Sequence, residues 1–282
     1  LRLKKGETHA LIGENGAGKS TLMKILLGDY PADSGEILYK GKRVAFSSPN
    51  QANHAGICMI PQEVNMVETM DAAENVWLHR EKRFSTCGFI NKKKRLLATQ
   101  ELFDRMHLNL DPKKLVAQYS SAQKQMLAIA KAVSQDSEVI IMDEPTSGLD
   151  PLIQQAFYDI LKEENKRGVT IFLSSHVLSE VQRLCDRVAI LREGKLISVQ
   201  SMKELRENGY KKISLTAKSA IPEDFFSVPG TANLEWDKSK TSVSFMFSGP
   251  VMMIMNQLHR LELEDILIEE PSLEEVFLHY YE

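Results

Sequence analysis

Three short stretches concentrate the residue types that could do chemistry. In GENGAGKST, Gly13, Gly18, Lys19 and Ser20 stand at the spacing of a phosphate-binding loop. Glycines let successive backbone N–H groups turn inward around phosphate oxygens, so Glu14, Asn15, Gly16, Ala17 and Thr21 belong to the same lining. Lys19 would reach the β and γ phosphates and Ser20 would bind Mg²⁺. The helix that starts there adds the positive end of its dipole. In VIIMDEP an apolar run ends in two acids. Asp143 can hold the Mg²⁺ shell, and Glu144, facing elsewhere, can take a proton from an attacking water. The third stretch, YSSAQKQ, offers Ser120 as a hydroxyl and helix N-cap, with Gln123 three residues on.

The surrounding pattern says what must hold these residues in place. THALI, the loop and KSTLMKILL read as strand, turn and helix. GEILYKGKRV reads as strand, turn and strand around Gly41, and AGICMIP as a short buried strand stopped by Pro61. Residues 71–110 are mostly helical in pattern, and the basic run Lys92–Arg95 reads as a solvated helix face. SSAQKQMLAIAKAVS puts Met126, Ile129, Ala130 and Val133 on one helix face, and EVIIMDE suits a strand buried on both faces. Helix 152–166, strand 169–174, helix 177–185 and strand 187–192 follow. Such alternation implies a mostly parallel sheet wrapped by helices. Near residue 210 the pattern changes to half-buried alternation in KKISLTA, ANLEWD and TSVSFMF, followed by a helix, a strand and a last helix capped by Ser272. The expected organisation is an α/β domain over 1–209 that carries the phosphate-binding loop, with a helical subdomain at about 64–120, and an α+β accessory domain over 210–282.

Composition bounds the function. The 282 residues carry a net charge of −3, which gives no reason to invoke nucleic acid. No apolar run reaches the ~18 residues of a membrane span. Three cysteines without metal-like spacing fit a reducing cytosol. The opening LRLKKGE, without methionine, reads as the middle of a strand and turn, and predicts an N-terminal truncation.

In order along the chain, the phosphate-binding loop, Gln62 in PQE, SSAQKQ, MDE, SGLD and His176 in LSSHV resemble the ATPase subunits of ABC transporters. The resemblance covers essentially the whole chain and implies a P-loop NTPase fold. It implies that Gln62 touches Mg²⁺ or the attacking water, that His176 contacts the γ-phosphate, and that the segment ending in Asp150 meets a second ATPase subunit. It also implies that Ser120, Ser121, Ala122 and Gln123 face the γ-phosphate bound by that second subunit. The family signature carries two glycines where this chain has Ser121 and Ala122. Helical φ/ψ at both positions would make glycine unnecessary, whereas φ > 0 would cost about 1–2 kcal/mol each.

Residues 1 to about 146 resemble the ATPases of ribose-type monosaccharide importers. From Gly148 onward the chain resembles ATPases of exporters that move drugs, antibiotics or polymers. What the resemblance implies is hydrolysis of ATP with Mg²⁺ in a head-to-tail dimer, homo- or heterodimeric, peripheral on the cytoplasmic face of the membrane and coupled to separate permease subunits. Its early adenine-stacking aromatic falls before this chain begins, so the adenine contact is expected to be missing or to come from elsewhere. A soluble ATPase of the same superfamily and a nucleotide-binding scaffold without turnover are the alternatives.

Overall fold

The computed structural model describes residues 1–61, 65–86, 89–147, 149–207 and 210–271. Gln62 and the last helix expected from the Ser272 cap onward lie outside the described residues. The chain forms two compact units, Leu1–Val199 and Gln200–Glu282.

The first unit runs β1 (Thr8–Ile12), α1 (Lys19–Leu27), β2 (Ile37–Tyr39), β3 (Lys42–Val44), α2 (Pro49–His54), β4 (Ile57–Ile60), α3 (Ala72–Val76), β5 (Ser85–Thr86), β6 (Phe89–Ile90), α4 (Lys92–Arg105), α5 (Ser121–Ser134), β7 (Val139–Asp143), α6 (Pro151–Lys166), β8 (Thr170–Ser174), α7 (Leu178–Leu184), β9 (Arg187–Arg192) and β10 (Lys195–Ser201). Six strands make one sheet in the order β10-β9-β1-β8-β7-β4. Its pairs β9·β1, β1·β8, β8·β7 and β7·β4 are all parallel. Every residue of β1 and β8 is buried, as in strands covered on both faces, the polar Thr8, His9, Thr170 and Ser174 included. This is the parallel sheet of an α/β fold that the alternating pattern implied. One strand went unread. β10 follows β9 across Glu193 and Gly194, both at positive φ (49° and 75°), as a two-residue hairpin turn demands. Residues 200–207, expected in the first domain, are the end of β10 and a short helix, and the units divide after Val199.

Two expectations for residues 71–110 are corrected. The stretch is not mostly continuous helix: a two-stranded ribbon, β5 with β6, separates the five-residue α3 from α4. Nor is the basic run all solvated. Lys92, Lys93 and Lys94 are exposed, but Arg95 is buried, 2.8 Å from the Glu74 carboxylate and 4.0 Å from that of Asp71. Asp71 and Glu74 form the capping box of α3, so Arg95 ties α4 to the start of α3. Trp77 completes the join, donating its indole N–H to Thr99 Oγ1 at 2.9 Å.

The second unit holds α8 (Met202–Glu207), β11 (Tyr210–Ala217), β12 (Thr231–Trp236), β13 (Ser242–Ser248), α9 (Val251–Leu258) and β14 (Leu263–Glu269). Its strands form a separate sheet, β12-β13-β11-β14, with antiparallel pairing throughout. Ile213, Phe245, Phe247, Leu258 and Phe226 make its core. Ile268 is 41 % exposed on the edge strand β14.

His9 is a buried titratable group in the middle of the large sheet. Neither ring nitrogen has a hydrogen-bond partner, and the ring meets Phe172 edge-on at 6.1 Å. Burial, with the Arg187 charge adding to it, pushes its pKa down from 6.5 to about 4. The unfolded chain therefore binds the proton more readily. The stability that neutral His9 contributes is complete above about pH 6.5 and is lost as pH falls toward 4, by about 1.4 kcal/mol per pH unit. Replacing His9 with Leu should flatten the acid limb between those values in denaturant titrations taken at several pH values. An unchanged acid limb would show that His9 does not titrate with unfolding.

Candidate active site

The parallel register brings the carboxyl ends of the central strands to one edge. Leu11 of β1 stands opposite Ser174 of β8, and Ser174 opposite Asp143 of β7. Ligands bind outside the carboxyl ends of strands in sheets of this kind.

After β1 the loop is shaped by what glycine permits. A Cβ on Gly13 would lie 2.3 Å from the Leu191 carbonyl oxygen of β9, so no side chain fits. Gly16 and Gly18 sit at φ 84° and 101°, the left-handed region. Gly18 also caps α1 and supplies no side-chain acceptor, which leaves the first-turn N–H groups to an anion. Lys19 is buried and folds back across the loop. Its Nζ donates to the Gly13 carbonyl at 2.7 Å and to that of Glu14 at 3.1 Å. An ammonium has three donors, so Lys19 can brace the loop and hold a phosphate oxygen at once. Ala17 is buried, whereas Glu14, Asn15, Gly16, Ser20 and Thr21 are exposed.

Ser174 organises the two acids. Its hydroxyl makes a short hydrogen bond to the Asp143 carboxylate, and its Oγ and its carbonyl oxygen both accept from the Glu144 N–H, at 3.1 and 3.2 Å. Glu144 adopts φ 44°, rare for a residue with a Cβ and costing about 1–2 kcal/mol. Strain of this kind accumulates at functional sites. With the chain bent there, Glu144 Oε1 lies 3.2 Å from His176 Nδ1. The Glu144 side chain is largely buried, at 17 % exposure, while that of His176 is 58 % exposed. The candidate base and the candidate γ-phosphate contact are therefore neighbours. Ser174 was missed in the sequence; the available signal was a pair of small hydroxyls, Ser174 and Ser175, ending an otherwise apolar strand.

For Mg²⁺ the available donors are hard oxygens, the Ser20 hydroxyl and the Asp143 carboxylate. Among the described residues no cluster of three or more His, Cys, Asp or Glu could hold a metal. That suits Mg²⁺, which uses one or two carboxylates together with substrate phosphates.

In the third stretch, Ser120 is the exposed N-cap of α5. Its Oγ accepts from the Gln123 N–H at 3.2 Å, and the Gln123 side chain accepts from the Ser120 N–H at 3.1 Å. Ser121 and Ala122 lie inside α5, and neither has positive φ. Glycine is not required at either position. Asp150 is also a helix cap, accepting from the Leu152 and Ile153 N–H groups at 3.0 Å each. Changing both Ser121 and Ala122 to Gly should lower stability by up to about 1 kcal/mol per site and leave ATP hydrolysis within a few-fold of the parent. Thermal unfolding and steady-state hydrolysis check this together; a large gain in turnover would mean that the native signature is impaired.

Comparison with known proteins agrees with this geometry. A family model described as ABC transporter matches residues 1–147. A putative ribose/galactose/methyl galactoside import ATP-binding protein of Halalkalibacterium halodurans is 40 % identical over 213 residues, 76 % of this chain and 41 % of that protein. The chain thus spans about two-fifths of the length of such relatives. Among solved structures, the ADP conformation of MJ1267, an ATP-binding cassette of an ABC transporter, superposes with a TM-score of 0.64 at 22 % identity, covering 73 % of this chain and 85 % of that one. CbiO1 from Clostridium perfringens, part of an ABC transporter complex, superposes with a TM-score of 0.62 at 27 % identity, covering 73 % and 81 %. A phosphate-binding loop, an Asp-Glu strand end and a histidine at one sheet edge, with a family match over the residues that build most of them, place the chain in the ABC transporter family, as an ATP-binding protein.

Proposed function

We propose that this chain hydrolyses ATP as the nucleotide-binding subunit of a transporter. The observation that carries the reading is the Glu144–His176 contact of 3.2 Å at the strained turn after Asp143. In this reading the loop from Gly13 to Thr21 holds the phosphates, and Ser20 and Asp143 hold Mg²⁺, with Gln62 as a further ligand. Mg²⁺ would neutralise charge on the β and γ phosphates. Glu144 takes the proton of the attacking water, and His176 orients the γ-phosphate beside it. Two subunits would sandwich ATP head to tail, with Ser120, Ser121, Ala122 and Gln123 of one facing the nucleotide of the other and Asp150 at the join. The exposed helix start at Ser120 supports that role, since a cap hydroxyl can accept from the backbone and still donate to a phosphate.

Among the described residues no helix is long and apolar enough to cross a membrane. In this reading the transported solute passes through separate permease subunits, with this chain peripheral on the cytoplasmic face. The curated relatives are putative sugar import proteins, which supports a monosaccharide importer for the first unit. The second unit has its own core and, among its described residues, no phosphate-binding loop. Its role in this reading is to stabilise or regulate the dimer.

Glu144→Gln should lower turnover by about 10²–10⁴-fold, the contribution of a positioned base, while ATP still binds. Steady-state hydrolysis and nucleotide titration on the same preparation check both halves. Near-parental turnover would remove Glu144 from the base role.

A further inference from the structure

Beside the Glu144–His176 pair lies a cleft of about 480 Å³ whose wall includes Glu144, His176, Glu180, Tyr158 and Arg183. With open space along both segments, side-chain packing alone does not set their spacing. A buried carboxylate does. Glu180, in the first turn of α7, is 6 % exposed. Its Oε2 accepts from the Ser175 hydroxyl at 2.9 Å, and its Oε1 accepts a short hydrogen bond from the Thr146 hydroxyl. Tyr158 of α6 lines the same cleft, and burial together with the Glu180 charge pushes its phenol up to about 12. Thr146 and Ser175 are themselves buried, at 5 % and 2 % exposure.

The two hydroxyls belong to the two segments that carry the proposed chemistry. Thr146 follows Glu144 by two residues, inside a turn closed by the Ser147 N–H donating to the Glu144 carbonyl at 3.2 Å. Ser175 precedes His176, and its Oγ also accepts from the Val177 N–H at 3.0 Å, so His176 is fixed from both sides. One carboxylate therefore grips the chain just after Glu144 and just before His176. We infer that Glu180 is a positioning residue for hydrolysis, a clamp that sets the distance between Glu144 and His176 through Thr146 and Ser175. The inference rests on the proposed roles of Glu144 and His176.

The test is a mutant cycle on the full chain. Glu180→Gln keeps the side-chain shape but removes the charge and turns one acceptor oxygen into a donor, so one of the two hydroxyls must turn to accept and a charge-assisted hydrogen bond becomes a neutral one. Expected is a loss of about tenfold or more in kcat, in line with the cost of small misplacements of reacting groups, with ATP affinity and KM within twofold. In a His176→Ala background the same change should add less than a twofold loss, because the clamp acts through His176. Ser175→Ala, which removes one arm, should show the same non-additivity on a smaller scale and serves if Glu180→Gln does not fold. Independently of turnover, the imidazole ¹⁵N resonances of His176 should move in Glu180→Gln and in Ser175→Ala, and stay in place in Glu235→Gln on the second unit. Unchanged kcat, unchanged His176 resonances, or losses that multiply in the double variant would overturn the clamp while leaving the hydrolysis reading intact. Parental turnover in both His176→Ala and Glu144→Gln would overturn both.

Discussion

In register across three parallel strands, Leu11, Ser174 and Asp143 stand side by side at the carboxyl edge of the sheet. The phosphate-binding loop, the Asp143–Glu144 turn and the His176 segment each leave the sheet from one of these strands, so their starting points are set by backbone pairing. The hydroxyl of Ser174 then converts register into chemistry. It holds the Asp143 carboxylate and the Glu144 N–H together, and so directs one acid to stay at the strand end while the next turns away. Buried, charge-assisted hydrogen bonds of this kind are strong, and leaving one partner unmade in the interior is costly.

Backbone conformation divides the site into parts that need glycine and parts that do not. In the loop after β1, Gly13 is confined by the Leu191 carbonyl, and Gly16 and Gly18 by positive φ. At the start of α5 none of these constraints applies, and a Ser–Gln capping box defines the helix end instead. A helix N-terminus presents N–H groups whatever small side chains follow the cap. The start of α5 thus presents backbone donors beside a hydroxyl.

The second unit obeys different rules. Its sheet alternates an apolar face, with Ile213, Leu215, Val243 and Phe245 buried, against a face of paired hydroxyls. Ser214 meets Ser244 and Thr216 meets Ser242, each at 3.0 Å across β11 and β13. Such cross-strand hydroxyl pairs stabilise a sheet face that remains in contact with water.

Local pattern made much of this protein legible. The glycine–lysine spacing, the apolar strand ending in Asp-Glu, the alternation of strand and helix, the Ser120 cap and the change of pattern near residue 210 all follow from interactions within a few residues, where sequence spacing and spatial spacing coincide. Tertiary structure decided what depends on distant partners. Ser174 reaches Asp143 across 31 residues and Glu180 reaches Thr146 across 34. Arg95 is drawn out of its basic run by Glu74, 21 residues away, and the ribbon of β5 and β6 interrupts a helical pattern that continues on both sides. Nothing in the residue types of a serine or a glutamate on an ordinary helix says which buried hydroxyls it will meet. That is set by which strands lie side by side, and their order in the sheet is not their order in the chain.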